Sequence, residues 1–313
     1  MKTTTDIFVK LAQSHPGLFY ELTSEDIKKL HAALLEMFLD VKKVCDKYGL
    51  QIQMSGGSLI GTVRHQGFIP WDDDLDLMMP RNDYDKLISV FDKELSKKYD
   101  LSVPRSANPS LGLFMKIFMK GTKMVNPRSF DTERLNGIFI DIFPIEQVPD
   151  NKLLREVKFK YLDLLRICVL STNIVLRRKS GNDFMMKKIV NHNIKHWLRE
   201  NARYVLGLLM MIFGRNNLIN YYDRVASSSS GLKYCSIPTG RKWSKGECHP
   251  TEVFFPSKKA IFEGEEVLIP NREDKYLSRL HGNYMQIPPP EKRERHYYVE
   301  LDFGDKFENI SSE

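Results

Sequence analysis

Residues 72–76 read Asp-Asp-Asp-Leu-Asp and follow Trp71 directly. Four carboxylates in five positions repel one another and raise one another's pKa unless positive charge sits between them. Oxygen donors of this kind suit Mg²⁺, with Mn²⁺ as second choice. Such a cation takes one or two protein carboxylates and fills its other positions with water and substrate phosphate. In an arbitrary chain an Asp-rich string is a solvated loop. Here Phe68, Ile69 and Trp71 precede it, and Leu75, Leu77 and Met78 are woven through it. The expectation is a strand with one charged face, shared by Asp74 and Asp76.

Asp141 supplies a third acid from the run Ile-Phe-Ile-Asp-Ile-Phe-Pro. An ionised group in that setting needs compensation, from a metal or from a lysine such as Lys116. With Asp74 and Asp76 it could hold one or two cations, and a carboxylate beside a nucleophile could take its proton. Gly56 and Gly57 stand where a strand should turn into a helix, letting the backbone come close to a ligand; the helix start at Ser58 offers N–H groups to phosphate. Arg64, His65 and Lys116 are the cations expected to neutralise phosphate oxygens, with Asp72 and Asp73 also expected against the substrate. The plainer alternatives stay open: Arg64 as a surface cation, His65 as a structural histidine.

These residues need elements to hold them. Ile27, Leu30, Leu34, Met37, Val41 and Val44 recur at helical spacing after a Thr23–Asp26 capping box, with Gly49 as the stop. LQIQM (50–54) reads as a strand, SLIGTVRHQ as a short helix, and DDDLDLMM as a strand ended by Pro80. Asn82 is expected to cap the next helix. Further strands are expected at 111–121 and at 137–147, the second apolar on both faces and therefore central. Long basic helices fill about 150–227, and short strands with Pro/Gly turns follow. The organisation expected is 1–150 as catalytic core, 151–230 as a basic helical subdomain and 231–313 completing the core or acceptor site, with SSSSG (227–231) as a linker.

The chain has 313 residues, of which 42% are hydrophobic and 28% charged, a globular composition. A net charge of +7 favours anionic partners. Four cysteines without CxxC spacing argue for a reducing compartment; zinc at Cys235, Cys248 and His249 is a weak alternative, since paired ligand spacing is missing. No secretory leader and no apolar run of membrane-spanning length are read, so the expected location is cytoplasmic. Mixed basic and apolar stretches such as YVLGLLMMIFGR could rest peripherally on the inner face of a membrane.

The segment from Cys45 to Leu87 (CDKYGLQIQMSGGSLIGTVRHQGFIPWDDDLDLMMPRNDYDKL), GIFIDIFPIE from Gly137 and KYLSRLHGNYMQIPPPEKRERHY from Lys275 resemble the LicD/fukutin family, a branch of the nucleotidyltransferase superfamily. That resemblance implies an α+β fold, a nucleotidyltransferase-like mixed sheet flanked by helices, here with an added basic helical region. It matches Gly57-Ser58, Asp74, Asp76 and Asp141 to the superfamily's turn and three acids. His281-Gly282-Asn283-Tyr284 departs from the family's Tyr-Gly-Asp-Tyr and lacks its acid. The implied activity moves a phospho-alcohol, phosphocholine first, from a CDP-activated donor to a hydroxyl of a glycan or lipid-linked glycan such as a teichoic-acid precursor, releasing CMP. Tyr284, Tyr297, Tyr298 and Trp243 are candidates for a cage around a choline ammonium. Two rivals are a glycosyltransferase that binds a nucleotide sugar through Asp-x-Asp, and an RNA-tailing enzyme. No RNP-like motif or concentrated basic tract supports nucleic acid as a partner.

Overall fold

The structure, a computed structural model, describes residues 20–106, 112–126, 135–179, 194–293 and 296–308. The N-terminal stretch read for a leader, and the starts of the expected 111–121 strand and of the helix from 191, lie outside them.

Helix α1 (Ser24–Tyr48) begins as its capping box requires: Thr23 Oγ1 accepts the Asp26 N–H, and Asp26 Oδ2 accepts the Thr23 N–H. Such a cap contributes about 1 kcal/mol. Leu30, Leu34, Met37, Val41 and Val44 are all buried, and the helix lies against the central sheet. Strand β1 (Gln53–Met54), helix α2 (Gly56–His65), strand β2 (Asp76–Pro80) and helix α3 (Arg81–Glu94) follow. Next come β3 (Tyr99–Ser102), β4 (Met115–Met119), β5 (Lys123–Val125) and the long β6 (Phe139–Val148).

The sheet runs β3-β4-β6-β2-β1 and continues through β10 (Glu265–Ile269) to β9 (Lys258–Phe262). β6 is interior, antiparallel to β4 and parallel to β2, with Ile140 and Ile142 fully buried. Its burial is one-sided there: Ile140 and Ile142 share the buried face, while Phe139, Asp141 and Phe143 on the other are half-buried, because that face carries the acid. β2 differs from expectation. It starts at Asp76, so Asp74 sits in the extended approach and does not alternate with Asp76 along a paired strand. The short β1 offers β2 only two register partners, which leaves nothing on that side to pair Asp74. Asn82 is not a cap either: Pro80 stands extended at the boundary and α3 starts at Arg81.

Helices α4 (Lys152–Lys179) and α5 (Ile194–Met211) pack together where Gly207 meets the Ser171 carbonyl. α6 (Arg215–Ala226) is tied to the sheet by charge. Arg81 bonds Glu146 on β6 and reaches Asp223 on α6 at 3.0 Å, and Arg105 Nε lies 2.5 Å from Asp223. Ile212 and Phe213, just past α5, are exposed, and no helix among the described residues is long and apolar enough to cross a membrane.

The C-terminal third completes the same sheet. β7 (Tyr234–Ser236) pairs with the end of β6, β8 (His249–Pro250) pairs with β7, and β10 lies parallel to β1. Helix α7 (Glu273–His281) follows, and strand β11 (Glu300–Asp302) pairs with β5 in a separate two-stranded sheet. The serine run between α6 and β7 is packed in place: Ser229 Oγ accepts from Lys158, and Gly231 lies against the Val148 carbonyl.

Candidate active site

β2 and β6 bring two of the expected acids side by side. Asp76 is the register partner of Asp141, and Asp141 in turn pairs in register with Lys116 on β4. The Lys116 ammonium lies 2.5 Å from Asp141 Oδ1 and stands 4.0 Å from the centre of the Phe139 ring. Lys116 therefore neutralises Asp141 rather than reaching into open space. Asp74 enters from the loop before β2, and burial together with the Asp73 charge pushes its carboxyl up to about 6. Asp76 is raised well above the usual carboxylate range by burial and by Asp74, Asp141 and Asp72. Asp141 is raised by burial, against the pull of Lys116. The cluster thus holds excess negative charge in a poorly solvated place, which is unfavourable until positive charge arrives.

The glycines have a definite steric role. Gly56 has φ +49°, and a Cβ there would sit 2.7 Å from Asp76 Oδ2; a Cβ on Gly57 would sit 2.8 Å from Asp72 Oδ2. Only hydrogen in place of a side chain lets these carboxylates lie on the first turn of α2. Ser58 is buried, and its Oγ accepts the Asp76 N–H at 2.8 Å, so this side chain positions an acid. The backbone N–H groups of that first turn have no helical carbonyl to bond.

Asp72, Asp74 and Asp76 open into a cavity of about 550 Å³ that Asp141 does not line, and among the described residues the converging ligand group is Asp73, Asp74 and His296, not Asp74, Asp76 and Asp141. Gly57, Asp72, Asp74 and Asp76 line one side, and Arg64, Arg241 and Lys292 bring positive charge to its walls. Arg64 donates to the Tyr284 carbonyl at 2.6 Å and to His65 at 3.0 Å, so it is a fixed wall residue and not a loose surface cation. His65 does not line the cavity; it meets the edge of Trp71, and burial beside Arg64 lowers its pKa. Trp71 is half-buried and carries Arg293 over its ring at 3.9 Å. A larger cavity, about 890 Å³ beside Arg81, Tyr99 and Asp223, contains none of the expected site residues.

Asp73 is used differently from its neighbours. Its Oδ1 lies 2.6 Å from His296 Nδ1 and its Oδ2 accepts from Tyr298 at 2.8 Å. Asp73, Asp74 and His296 bring potential ligand atoms within 4.8 Å of one another, a grouping the spacing of acids did not suggest. Since both oxygens of Asp73 already accept hydrogen bonds, we read Asp73 as the anchor of His296. Sequence reasoning missed Arg241, His281, Lys292 and His296 as wall residues. His296 stood inside a quoted motif, but nothing in its neighbours marks it for this site.

Of the cage candidates, Tyr284 lines the cavity, while Tyr298 is buried on Asp73. Trp243 lies elsewhere, under Arg166. Cys235 contacts Thr251, and burial lowers His249 to about 4; neither they nor Cys248 belong to a converging metal-ligand group among the described residues.

Residues 49–164 match the family model described as LicD/FKTN/FKRP, nucleotidyltransferase domain. The matched span includes every acid of the cluster. Over that span the chain resembles the LicD family. It is 26% identical over 259 residues to the lipopolysaccharide cholinephosphotransferase LicD of Haemophilus influenzae, covering 82% of this chain and 90% of that protein. An uncharacterized protein of Rickettsia prowazekii is 27% identical over 119 residues, 36% of this chain and 45% of that one. The family match ends before the 281–296 segment that walls the cavity. The likeness to the Haemophilus protein, by contrast, extends over most of both chains.

Proposed function

We propose that the protein transfers a phospho-alcohol, phosphocholine in the first instance, from a CDP-activated donor to a hydroxyl of a glycan, with CMP as the leaving group. The observation that carries this reading is the opposition of charge in one cavity: Asp72, Asp74 and Asp76 on one wall, Arg64, Arg241 and Lys292 on the others. Acids and bases so arranged suit a metal-bound diphosphate better than either charge alone. The name of the Haemophilus relative, a cholinephosphotransferase, points to the same group.

A hard divalent cation, Mg²⁺ before Mn²⁺, suits the oxygen donors of Asp74 and Asp76, which burial and neighbouring negative charge hold at raised pKa. Asp74 and Asp76 would hold it from the cavity wall, with Asp141, already paired with Lys116, beside Asp76 in register, and the cation would supply positive charge to the phosphate oxygens. The remaining work belongs to the chain. The N–H groups at the start of α2 and the Arg64 guanidinium orient the diphosphate. Ser58 and Lys116 keep Asp76 and Asp141 in place. The sugar oxygen forms its bond to phosphorus as the bond to the CMP oxygen breaks, and a carboxylate of the cluster takes the hydroxyl proton.

The test is a donor survey: the protein with Mg²⁺ and separate CDP-choline, CDP-ethanolamine, CDP-ribitol, CDP-glycerol and UDP-sugars. CMP release from CDP-choline is expected. UMP or UDP release from a UDP-sugar, with CDP-alcohols untouched, would replace this reading with glycosyl transfer.

A further inference from the structure

Trp71 and His296 line a second cavity as well as the first. It measures about 740 Å³, within the range of small-molecule sites. Its chemistry differs from that of the carboxylate cavity. Phe68, Trp71 and Tyr297 contribute rings, Glu21 and Glu263 carboxyl groups, and Lys28, Arg293 and His31 basic groups beside them. Acids and bases are mixed there, so the cavity has no excess of positive charge for a diphosphate; it suits a neutral polyol whose hydroxyls donate to the carboxylates and accept from the cations.

The shared wall is held firmly. Asp73 bonds both His296 and Tyr298, and the Tyr298 backbone bridges to Tyr20 at the entrance to α1. A transferase needs a second binding surface beside its donor, and a cavity that shares Trp71 and His296 with the donor cavity lies beside it. We infer that this second cavity is the acceptor subsite and takes a sugar of the acceptor glycan, presenting its hydroxyl at the Trp71–His296 wall. The inference rests on the transferase reading above, since a hydrolase would need no second subsite.

Ser24 and Ile27 line this cavity from α1 and are absent from the carboxylate cavity. Ser24→Trp and Ile27→Trp fill it, and two variants guard against one failing to fold. Saturation-transfer NMR on the full chain, with lipid-free lipopolysaccharide core oligosaccharides as the probe and CDP-choline with Mg²⁺ in a separate arm, reads both sites. The wild type should bind oligosaccharide. Folded variants should lose at least tenfold in oligosaccharide affinity, with CDP-choline affinity held within twofold. Three results would overturn the assignment: no oligosaccharide binding by the wild type, equal binding by the variants, or a parallel loss of CDP-choline. Oligosaccharide binding that the variants abolish, in a wild type that ignores every CDP-alcohol, would leave the sugar subsite standing and remove the donor reading.

Discussion

Asp76 and Asp141 are register partners across the parallel β2–β6 pair, so two carboxylates far apart in the chain are held abreast by backbone hydrogen bonds. Lys116 is next in line on β4 and offsets one of them. The remaining acids keep a charge imbalance that the substrate complex is proposed to relieve.

Replacing either acid should separate activity from stability. Asp76→Asn and Asp141→Asn are expected to lower turnover by about 10²–10⁴-fold, the span of a positioned catalytic group. Asp76→Asn should also stabilise the metal-free protein by about 0.5–2 kcal/mol, because one like charge leaves the cluster. Thermal melts and CMP-release assays on the same preparations check both. Wild-type turnover in either variant removes that acid from the mechanism.

Lys116→Met should destabilise, by about 1–3 kcal/mol, the cost of leaving a desolvated partner unpaired. The pair is 21% and 16% exposed, which places it below the cost of a fully buried pair. Adding Asp141→Asn should recover part of that loss, so a double-mutant cycle in denaturant should be non-additive. Strict additivity would mean that the two groups do not interact.

Asp74 sets a pH dependence for the metal-free protein. Its carboxyl is pushed up to about 6, chiefly by burial, from an unfolded value of about 3.9. The folded state therefore binds more protons than the unfolded one across that interval. Its contribution is fully present below the unfolded pKa and is lost as pH rises through 6. Mg²⁺ binding to the ionised cluster reverses the trend, so the rise in Tm on adding Mg²⁺ should be larger at pH 8 than at pH 5. A gain independent of pH would show that these acids do not bind the ion.

Gly56→Ala tests the steric argument, with Gly49→Ala as its control. Both positions have positive φ, +49° and +66°, and both should lose about 1–2 kcal/mol of backbone energy. Only at Gly56 would the methyl collide with Asp76; nothing lies within 4 Å of a Cβ at Gly49. Turnover should fall by about 10²-fold in the first, the scale of a displaced reacting group, and stay near wild type in the second. Equal activity in the two variants would show that the Asp76 position is unimportant.

Much of the frame was legible because it depends on local pattern. The apolar spacing of α1, its Thr23–Asp26 cap and the interior place of β6 each appear as read, though the Asp141 face of β6 is only half-buried. The errors concern boundaries set by neighbours. β2 pairs with β6 only from Asp76–Asp141 onward, although β6 itself begins at Phe139, and β5 exists only because β11 pairs with it from the far end of the chain.

The sequence alone determined which acids are too apolar in their surroundings to be solvent-facing, and that two glycines precede them. Burial cost and side-chain size are properties of short stretches, so they can be read along the chain. Tertiary structure alone decided that Lys116 belongs to Asp141, that Gly56 makes room for Asp76, and that His296 joins the site on Asp73. Those pairings depend on strand register and chain return, which bring together residues separated by as many as 223 positions.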